Sequence, residues 1–284
     1  MFLLAAVYLG FLTALWAAGF DFVSLAVIAA VLVGVQYYFS DQMVLWSMGA
    51  RIVSPEEAPE LHATIDRLAA LADLPKPKVA IVRTDMPNAF ATGRNPEHSV
   101  IAVTTGLMAR LEQPELEAVI AHELTHVKNR DAMVITIASF LSTVAFFVMR
   151  GFMWGGFGAY GGYGQRRGRN GAGSVMLAYL AALLVWVVSF FLIRALSRYR
   201  EYAADRGSAI ITGAPSQLSS ALLKISGTMQ RIPRRDLREV EGMNAFFTVP
   251  ALGGSSLMEL LSTHPSVEHR IERLTRMQQE MERP

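Results

Sequence analysis

Four long apolar runs alternate with polar segments along the chain. Residues 1–20 and 22–39 form two runs separated only by Asp21, and residues 132–149 and 175–193 form two more. A helix of about 20 residues is long enough to cross the hydrocarbon core of a bilayer. The pattern therefore predicts four transmembrane helices, of which the first two form a tight hairpin.

The segment between the second and third runs has the pattern of a small folded domain. Ser54–Glu57 resembles a capping box with proline at the first helical position, which predicts a helix to about Leu74. Residues 78–83, 88–93 and 99–105 predict three short strands separated by turn-forming residues. We expect these strands to form a small antiparallel sheet.

Residues 114–131 predict an amphipathic helix that carries several polar groups. Pro114 suits the first turn, and apolar residues recur at helical spacing. His122 and His126 lie four residues apart on one face, about 6 Å along the axis, so both imidazoles can bind one tetrahedral metal ion. With Glu123 they form the H-E-x-x-H pattern of two zinc ligands and a general base. The alternative is a helix whose histidines are satisfied by hydrogen bonds in the core.

A catalytic zinc site of this type needs a third protein ligand. The class that uses H-E-x-x-H-x-x-G-x-x-H is excluded, because Asn129 and Ala132 occupy the Gly and final His positions. The other common source is a glutamate on a later helix, and Glu201 directly follows the fourth run. Asp205, on the same helical face, is placed to accept the free N–H of a zinc-bound histidine. The alternative is a solvated face whose carboxylates pair with neighbouring arginines.

Composition supports a membrane protein and limits the metal chemistry. The chain has 284 residues, of which 52% are hydrophobic, and its mean hydropathy is +0.32. It has no cysteine, so disulfides and thiolate metal sites are excluded. The formal net charge of +2 is small and does not indicate a nucleic-acid-binding face.

Basic residues near the ends of the apolar runs predict their orientation. Arg51 follows the second run, Lys128 precedes the third and Arg198 follows the fourth, whereas the first hairpin contains no Lys or Arg. The folded segments and the zinc helix should therefore face the cytoplasm. The Gly-rich loop 151–173 carries three arginines yet would lie outside if both later runs cross. Either the rule fails there or that pair does not cross fully; we prefer four spans.

Several stretches together resemble the HtpX-type membrane zinc proteases, which are relatives of the C-a-a-X prenyl proteases. The resemblance covers nearly the whole chain. Its motifs are Pro-Asn-Ala-Phe-Ala-Thr-Gly at 87–93, His-Glu-Leu-Thr-His-Val-Lys-Asn-Arg-Asp at 122–131, Glu-Tyr-Ala-Ala-Asp at 201–205 and Ser-Thr-His-Pro at 262–265.

The resemblance implies a stress-linked endopeptidase of the bacterial inner membrane. Such an enzyme would face the cytoplasm and degrade misfolded or damaged membrane proteins. The resemblance also implies one Zn²⁺ per subunit, bound by His122, His126 and Glu201, with Glu123 as the catalytic residue.

The final turn before the last helix supplies a further candidate. His264 could donate a hydrogen bond to the oxyanion that forms during peptide hydrolysis, or could occupy the open zinc position in a resting state. Tyr202 and Arg270 are the next candidates for the oxyanion donor. The alternative is a turn histidine without a chemical role.

The second predicted strand is a candidate for substrate binding. Asn88, Ala89 and Phe90 lie on a strand short enough to be a sheet edge, and an edge beside a protease site can bind an extended peptide as an additional strand. An ordinary sheet edge without a ligand is the alternative.

Together these features predict an α+β, mainly helical fold: a gluzincin-like zinc-metalloprotease domain with a small antiparallel sheet and four transmembrane helices. Residues 1–40 would form a transmembrane hairpin and residues 41–131 the first part of the protease. Residues 132–193 would form two further membrane segments, and residues 194–284 the second part of the protease.

The expected partners are unfolded or misfolded proteins and the lipid bilayer, without nucleic acid; the oligomeric state is left open. One alternative is a membrane-bound zinc protein that binds unfolded clients without cutting them, although a purely structural zinc site would not need Glu123. Another is a prenyl-protein protease, which would need a lipid chamber formed by further spans.

Overall fold

A computed structural model describes residues 22–136, 171–229 and 264–283, which are mainly helical with one small sheet. The helices are α1 (Phe22–Ser47), α2 (Pro59–Leu71), α3 (Thr105–Met108), α4 (Gln113–Lys128), α5 (Gly171–Thr212), α6 (Pro215–Met229) and α7 (Val267–Met281). The strands are β1 (Ala50–Ile52), β2 (Lys78–Val82), β3 (Ala89–Thr92) and β4 (Val100–Thr104).

The sheet is mixed, so the prediction of an antiparallel sheet is wrong for its central pair. The strand order is β1-β2-β4-β3; β2 pairs with β4 in parallel, and the two outer pairs are antiparallel. After β2 the chain passes to the far edge, forms β3, and returns as β4 between them. The Gly106 N–H donates to the Thr84 carbonyl at 2.8 Å and fixes this crossing. Strand β1 was not predicted, because three residues show no alternation.

Helix α2 begins at Pro59 and not at Pro55, where the sequence predicts its start. The predicted capping box instead forms a separate turn, in which the Glu57 carboxylate accepts the Ser54 N–H at 2.9 Å. Proline suits the first turn of a helix at either position, so the local sequence does not decide between the two starts and tertiary packing does.

One face of the sheet packs against helices and forms the main core. Helix α4 is almost entirely enclosed by this core, which explains why its polar groups are buried. The core side chains include Val79, Ile101 and Val103 of the sheet, Ile65 and Leu68 of α2, Val119, Ile120 and Leu124 of α4, and Leu218 and Leu222 of α6.

The opposite face of the sheet packs against the C-terminal turns of α1. Phe90, 2% exposed, belongs to a second apolar cluster with Val100 and Ala102, and Val44, Leu45 and Met48 pack against it. The last turns of α1 are therefore part of the folded domain.

The chain divides into two compact units, one of residues 1–33 with 135–195 and one of residues 34–134 with 196–284. The second unit contains the sheet, α4 and all of the candidate site residues.

The predicted apolar runs 22–39 and 175–193 are helical, within α1 and α5. Within residues 22–136, 171–229 and 264–283, no helix is both long and apolar enough to qualify as a membrane span. The run 1–20, most of the run 132–149, and residues 151–170 of the Gly-rich loop lie outside the described residues. Helix α5 is continuous from the fourth apolar run to Glu201 and beyond.

Candidate metal centre

Helices α4 and α5 bring three ligand side chains together. The Nε2 atoms of His122 and His126 lie 3.2 Å apart. Glu201 Oε2 lies 3.6 Å from Nε2 of His122, and its Oε1 lies 3.6 Å from Nε2 of His126. Among the residues that the structure describes, these three are the one group of His, Asp and Glu side chains arranged to hold a metal ion.

The dimensions of the group fit zinc. Four-coordinate zinc binds imidazole nitrogen and carboxylate oxygen at about 2.0–2.2 Å, which places neighbouring ligand atoms roughly 3.3 Å apart. The three measured separations lie close to this value. Glu201 Oε2 is buried and accepts no hydrogen bond within the described part of the chain, so a cation would satisfy it. Two histidines and one glutamate leave a fourth position open for catalysis.

Asp205 fixes the orientation of the first histidine. Its Oδ1 lies 3.0 Å from Nδ1 of His122, which leaves Nε2 directed at the metal position. Arg270, on α7 and 1% exposed, binds Asp205 through two hydrogen bonds, from Nε at 2.9 Å and from Nη2 at 2.6 Å. These two bonds hold the Arg270 guanidinium against Asp205. Its Nη1 also lies 3.5 Å from Glu201 Oε2.

Asp131 fixes the orientation of the second histidine, His126. This contact was not predicted from the sequence. Oδ2 of Asp131 lies 2.6 Å from Nδ1 of His126, and its Oδ1 forms an ion pair with Arg200 Nε at 2.9 Å. Arg130 adopts a left-handed conformation with φ of 52°, which ends the helix and turns the chain so that Asp131 faces back to His126. The sequence offered one signal for this role, namely that the carboxylate stands directly before the apolar run 132–149.

The charges of the site favour a cation between the ligands. Burial lowers the pKa of His122, but the hydrogen bond with Asp205 and the nearby carboxylate of Glu201 outweigh burial and raise that pKa to about 9. Burial raises the pKa of Glu201, but neighbouring His264 and His122 hold it well below its usual value. The pKa of Asp205 is lowered by Arg270 against the effect of burial. Two buried carboxylates that both lie beside His122 favour a positive charge at this position.

Glu123 lies between the metal ligands and the sheet edge. It is 5% exposed, and its Oε2 accepts the backbone N–H of Ala91 on β3 at 3.0 Å. Burial raises the pKa of Glu123, and neighbouring His122 and His126 oppose that rise. A buried carboxylate with a raised pKa binds a proton more readily than an exposed one.

His264 also reaches the site. Its Nδ1 lies 3.5 Å from Glu201 Oε2, and its side chain is buried. Tyr202, a further candidate for the oxyanion donor, lies with its ring under the Arg273 guanidinium at 4.3 Å.

The predicted substrate strand is β3, at one edge of the sheet. Asn88 and Ala89 are 1% exposed, and the Phe90 side chain packs on the face that α1 covers. The Thr104 N–H donates to the Asn88 carbonyl, so alternation along the ladder directs the backbone of Ala89 and Ala91 away from β4.

Comparison with known proteins agrees with this geometry. The crystal structure of Ste24p from S. mikatae shares the fold, with a TM-score of 0.59 at 16% sequence identity; the match covers 95% of this chain and 62% of that one. Two curated relatives are similar over 99% of this chain. "Protease HtpX homolog" of Moorella thermoacetica is 66% identical over 93% of its length, and "Protease HtpX homolog 2" of Methanosarcina mazei is 60% identical over 94%. The pattern of peptidase family M48 matches residues 55–278, and the chain therefore belongs to this family of metalloproteases.

Proposed function

We propose that the chain is a membrane-anchored zinc endopeptidase that cleaves misfolded or damaged proteins on the cytoplasmic side of the cell membrane. The observation that carries the proposal is the convergence of His122, His126 and Glu201 on one point beside Glu123. The family and the names of the relatives support the protease activity. The match to HtpX proteases supports the membrane location.

His122, His126 and Glu201 would hold one zinc ion, which supplies Lewis-acid activation of water and of the scissile carbonyl. Glu123 accepts the proton from the attacking water and passes it to the leaving amine. The Ala91 N–H fixes the position of this carboxylate by donating a hydrogen bond to its Oε2. His264 donates a hydrogen bond to the negative charge that develops on the carbonyl oxygen.

The substrate would bind as an additional strand on β3. The Ala91 carbonyl, on the outward edge of β3, would accept a hydrogen bond from an added strand, and the Ala91 N–H, which Glu123 holds, marks where the peptide passes that residue. Because main-chain groups make most of these contacts, many unfolded sequences would be accepted. Asn88 and Phe90, which are both buried, would hold this edge strand in position for the substrate.

The membrane part of the proposal is supported by the four apolar runs. The distribution of Lys and Arg near their ends supports a cytoplasmic site. Helix α5 would connect the fourth run directly to Glu201.

Replacing the general base should abolish cleavage and leave the metal bound. We expect Glu123→Gln to lower the rate of cleavage of an unfolded protein in detergent by roughly 100-fold to 10,000-fold, because the proton acceptor is lost. Glu117→Gln on the same helix is the matched control; Glu117 pairs with Arg67 instead of the site. Equal cleavage by Glu123→Gln and wild type would contradict the proposal. Zinc and client binding without cleavage by the wild type would favour the non-cleaving alternative.

Removing the oxyanion donor should affect turnover more than binding. We expect His264→Ala to lower kcat by roughly 100-fold to 1,000-fold with little change in KM or zinc content. His269→Ala, on the exposed side of α7, is the control. A loss of zinc affinity with kcat preserved would show instead that His264 is a resting ligand.

Removing either carboxylate that orients a histidine should weaken metal binding. We expect Asp131→Asn and Asp205→Asn each to lower zinc affinity by roughly 10-fold to 100-fold in competition with a chelator. Asp205→Asn should also lower the free energy of unfolding by about 3–5 kcal/mol, because it leaves Arg270 buried without its partner. Asp66→Asn, at an exposed ion pair with Lys76, should change neither quantity. Unchanged zinc affinity in both site variants would exclude the orienting role.

A further inference from the structure

Helix α5 packs against α4 through its smallest side chains. Ala204 and Ser208 are fully buried, and the hydroxyl of Ser208 donates a hydrogen bond to the Ala118 carbonyl of α4 at 2.7 Å. Between them in sequence, Gly207 faces Thr125 of α4. The two backbones therefore lie close together near the metal centre.

Gly207 has no room for a side chain. A Cβ atom placed there would lie 2.9 Å from Cβ of Thr125 and closer still to its Cγ2 and Oγ1. Carbon atoms pack best at about 3.5–4.0 Å, so the contact is too short by roughly 1 Å. Rotation of Thr125 does not relieve it, because the Cβ atom is fixed to the backbone and Oγ1 donates to the Ala121 carbonyl at 2.9 Å. An alanine at 207 must push the helices apart.

This contact joins the same two helices that carry the proposed ligands of the metal centre. Thr125 directly precedes His126, and Gly207 lies six residues after Glu201 on the same continuous helix. A shift of α5 away from α4 at this point therefore moves Glu201 away from the two histidines. Metal sites keep their ligand distances within about 0.2 Å, which is much less than the shift that a methyl group requires.

Helix propensity argues against glycine at this position. Alanine is the better helix former, and nothing in the backbone requires glycine, because Gly207 has ordinary helical geometry. The close approach to Thr125 is the feature that requires it.

We propose that Gly207 is a positioning residue of the metal centre. Its lack of a side chain sets the distance between α4 and α5 at which His122, His126 and Glu201 share one zinc ion. The proposal rests on the proposed function only through this ligand set.

The test is the zinc affinity of the full chain in detergent, measured by competition with a chelator. We expect Gly207→Ala to lower the affinity by roughly 10-fold or more, as loss of a ligand-orienting contact does. The visible spectrum of the cobalt-substituted protein should change with it, because the ligand geometry changes. The matched control is Gly227→Ala on α6, where a Cβ would meet nothing within 4 Å and zinc affinity should not change.

A second substitution separates positioning from general damage. Removing the opposing side chain should restore the fit, so Gly207→Ala combined with Thr125→Gly should bind zinc within about threefold of Thr125→Gly alone. Failure to recover would overturn the proposal, as would unchanged affinity in Gly207→Ala. If Gly207→Ala does not fold, the comparison of the double variant with Thr125→Gly decides the question in the same way.

Failure of the ligand set has a different signature. Glu201→Gln should lower zinc affinity if Glu201 is a ligand. If Glu201→Gln binds zinc as tightly as wild type, the ligand set of the proposed function is wrong and the positioning role is overturned with it. If Glu201→Gln loses zinc and Gly207→Ala retains it, the positioning role alone is overturned.

Discussion

The structure depends on two imidazole rings that are each held from behind by a carboxylate. Asp205 contacts Nδ1 of His122 and Asp131 contacts Nδ1 of His126, so both Nε2 atoms point at one place. Neither carboxylate can stay charged in the interior without a partner, and Arg270 and Arg200 supply the partners. Two acid–arginine pairs thus surround the candidate metal position, and Glu201 joins the two histidines as the third candidate ligand.

The fold brings these groups together from three distant parts of the chain. Helix α4 is fixed by the sheet and by α2, which hold its two histidines in the core. Helix α5 supplies Glu201, Asp205 and Arg200, and α7 supplies Arg270. The packing of α5 on α4 therefore has a chemical consequence as well as a structural one. The distance between the two helices sets the distance between Glu201 and the two histidines. Two acidic residues strengthen this packing. Asp131, just after α4, pairs with Arg200 of α5, and Asp205 of α5 contacts His122 of α4.

Spacing along the sequence predicts the parts of this site that lie on single helices. Two histidines four residues apart share a face by helical geometry, and Glu201 with Asp205 does so for the same reason. The contacts of Asp131 and Arg270 could not be predicted in this way. Asp131 reaches His126 only because Arg130 takes a left-handed conformation. Arg270 is 65 residues from Asp205, and pattern alone suggested for it an oxyanion role. Three of the four strands were predicted, but the parallel pairing of β2 with β4 depends on a crossing that local sequence does not specify.

The same contrast applies to the strand beside the site. Its position at an edge follows from its sequence, whereas its contact with the catalytic centre is a matter of tertiary structure. The Ala91 N–H donates to Glu123, 32 residues away in sequence, and links this proposed general base to the edge on which we expect the substrate to bind. Phe90, which the sequence suggests as a substrate contact, packs against α1 on the opposite face of the sheet.

The measurement that tests the central claim most directly is X-ray absorption at the zinc edge of the zinc-loaded full chain. The account predicts one zinc ion per chain with two imidazole nitrogens and one carboxylate group at about 2.0–2.2 Å. A chain that retains no zinc, or a coordination shell with fewer than two imidazoles, would contradict it.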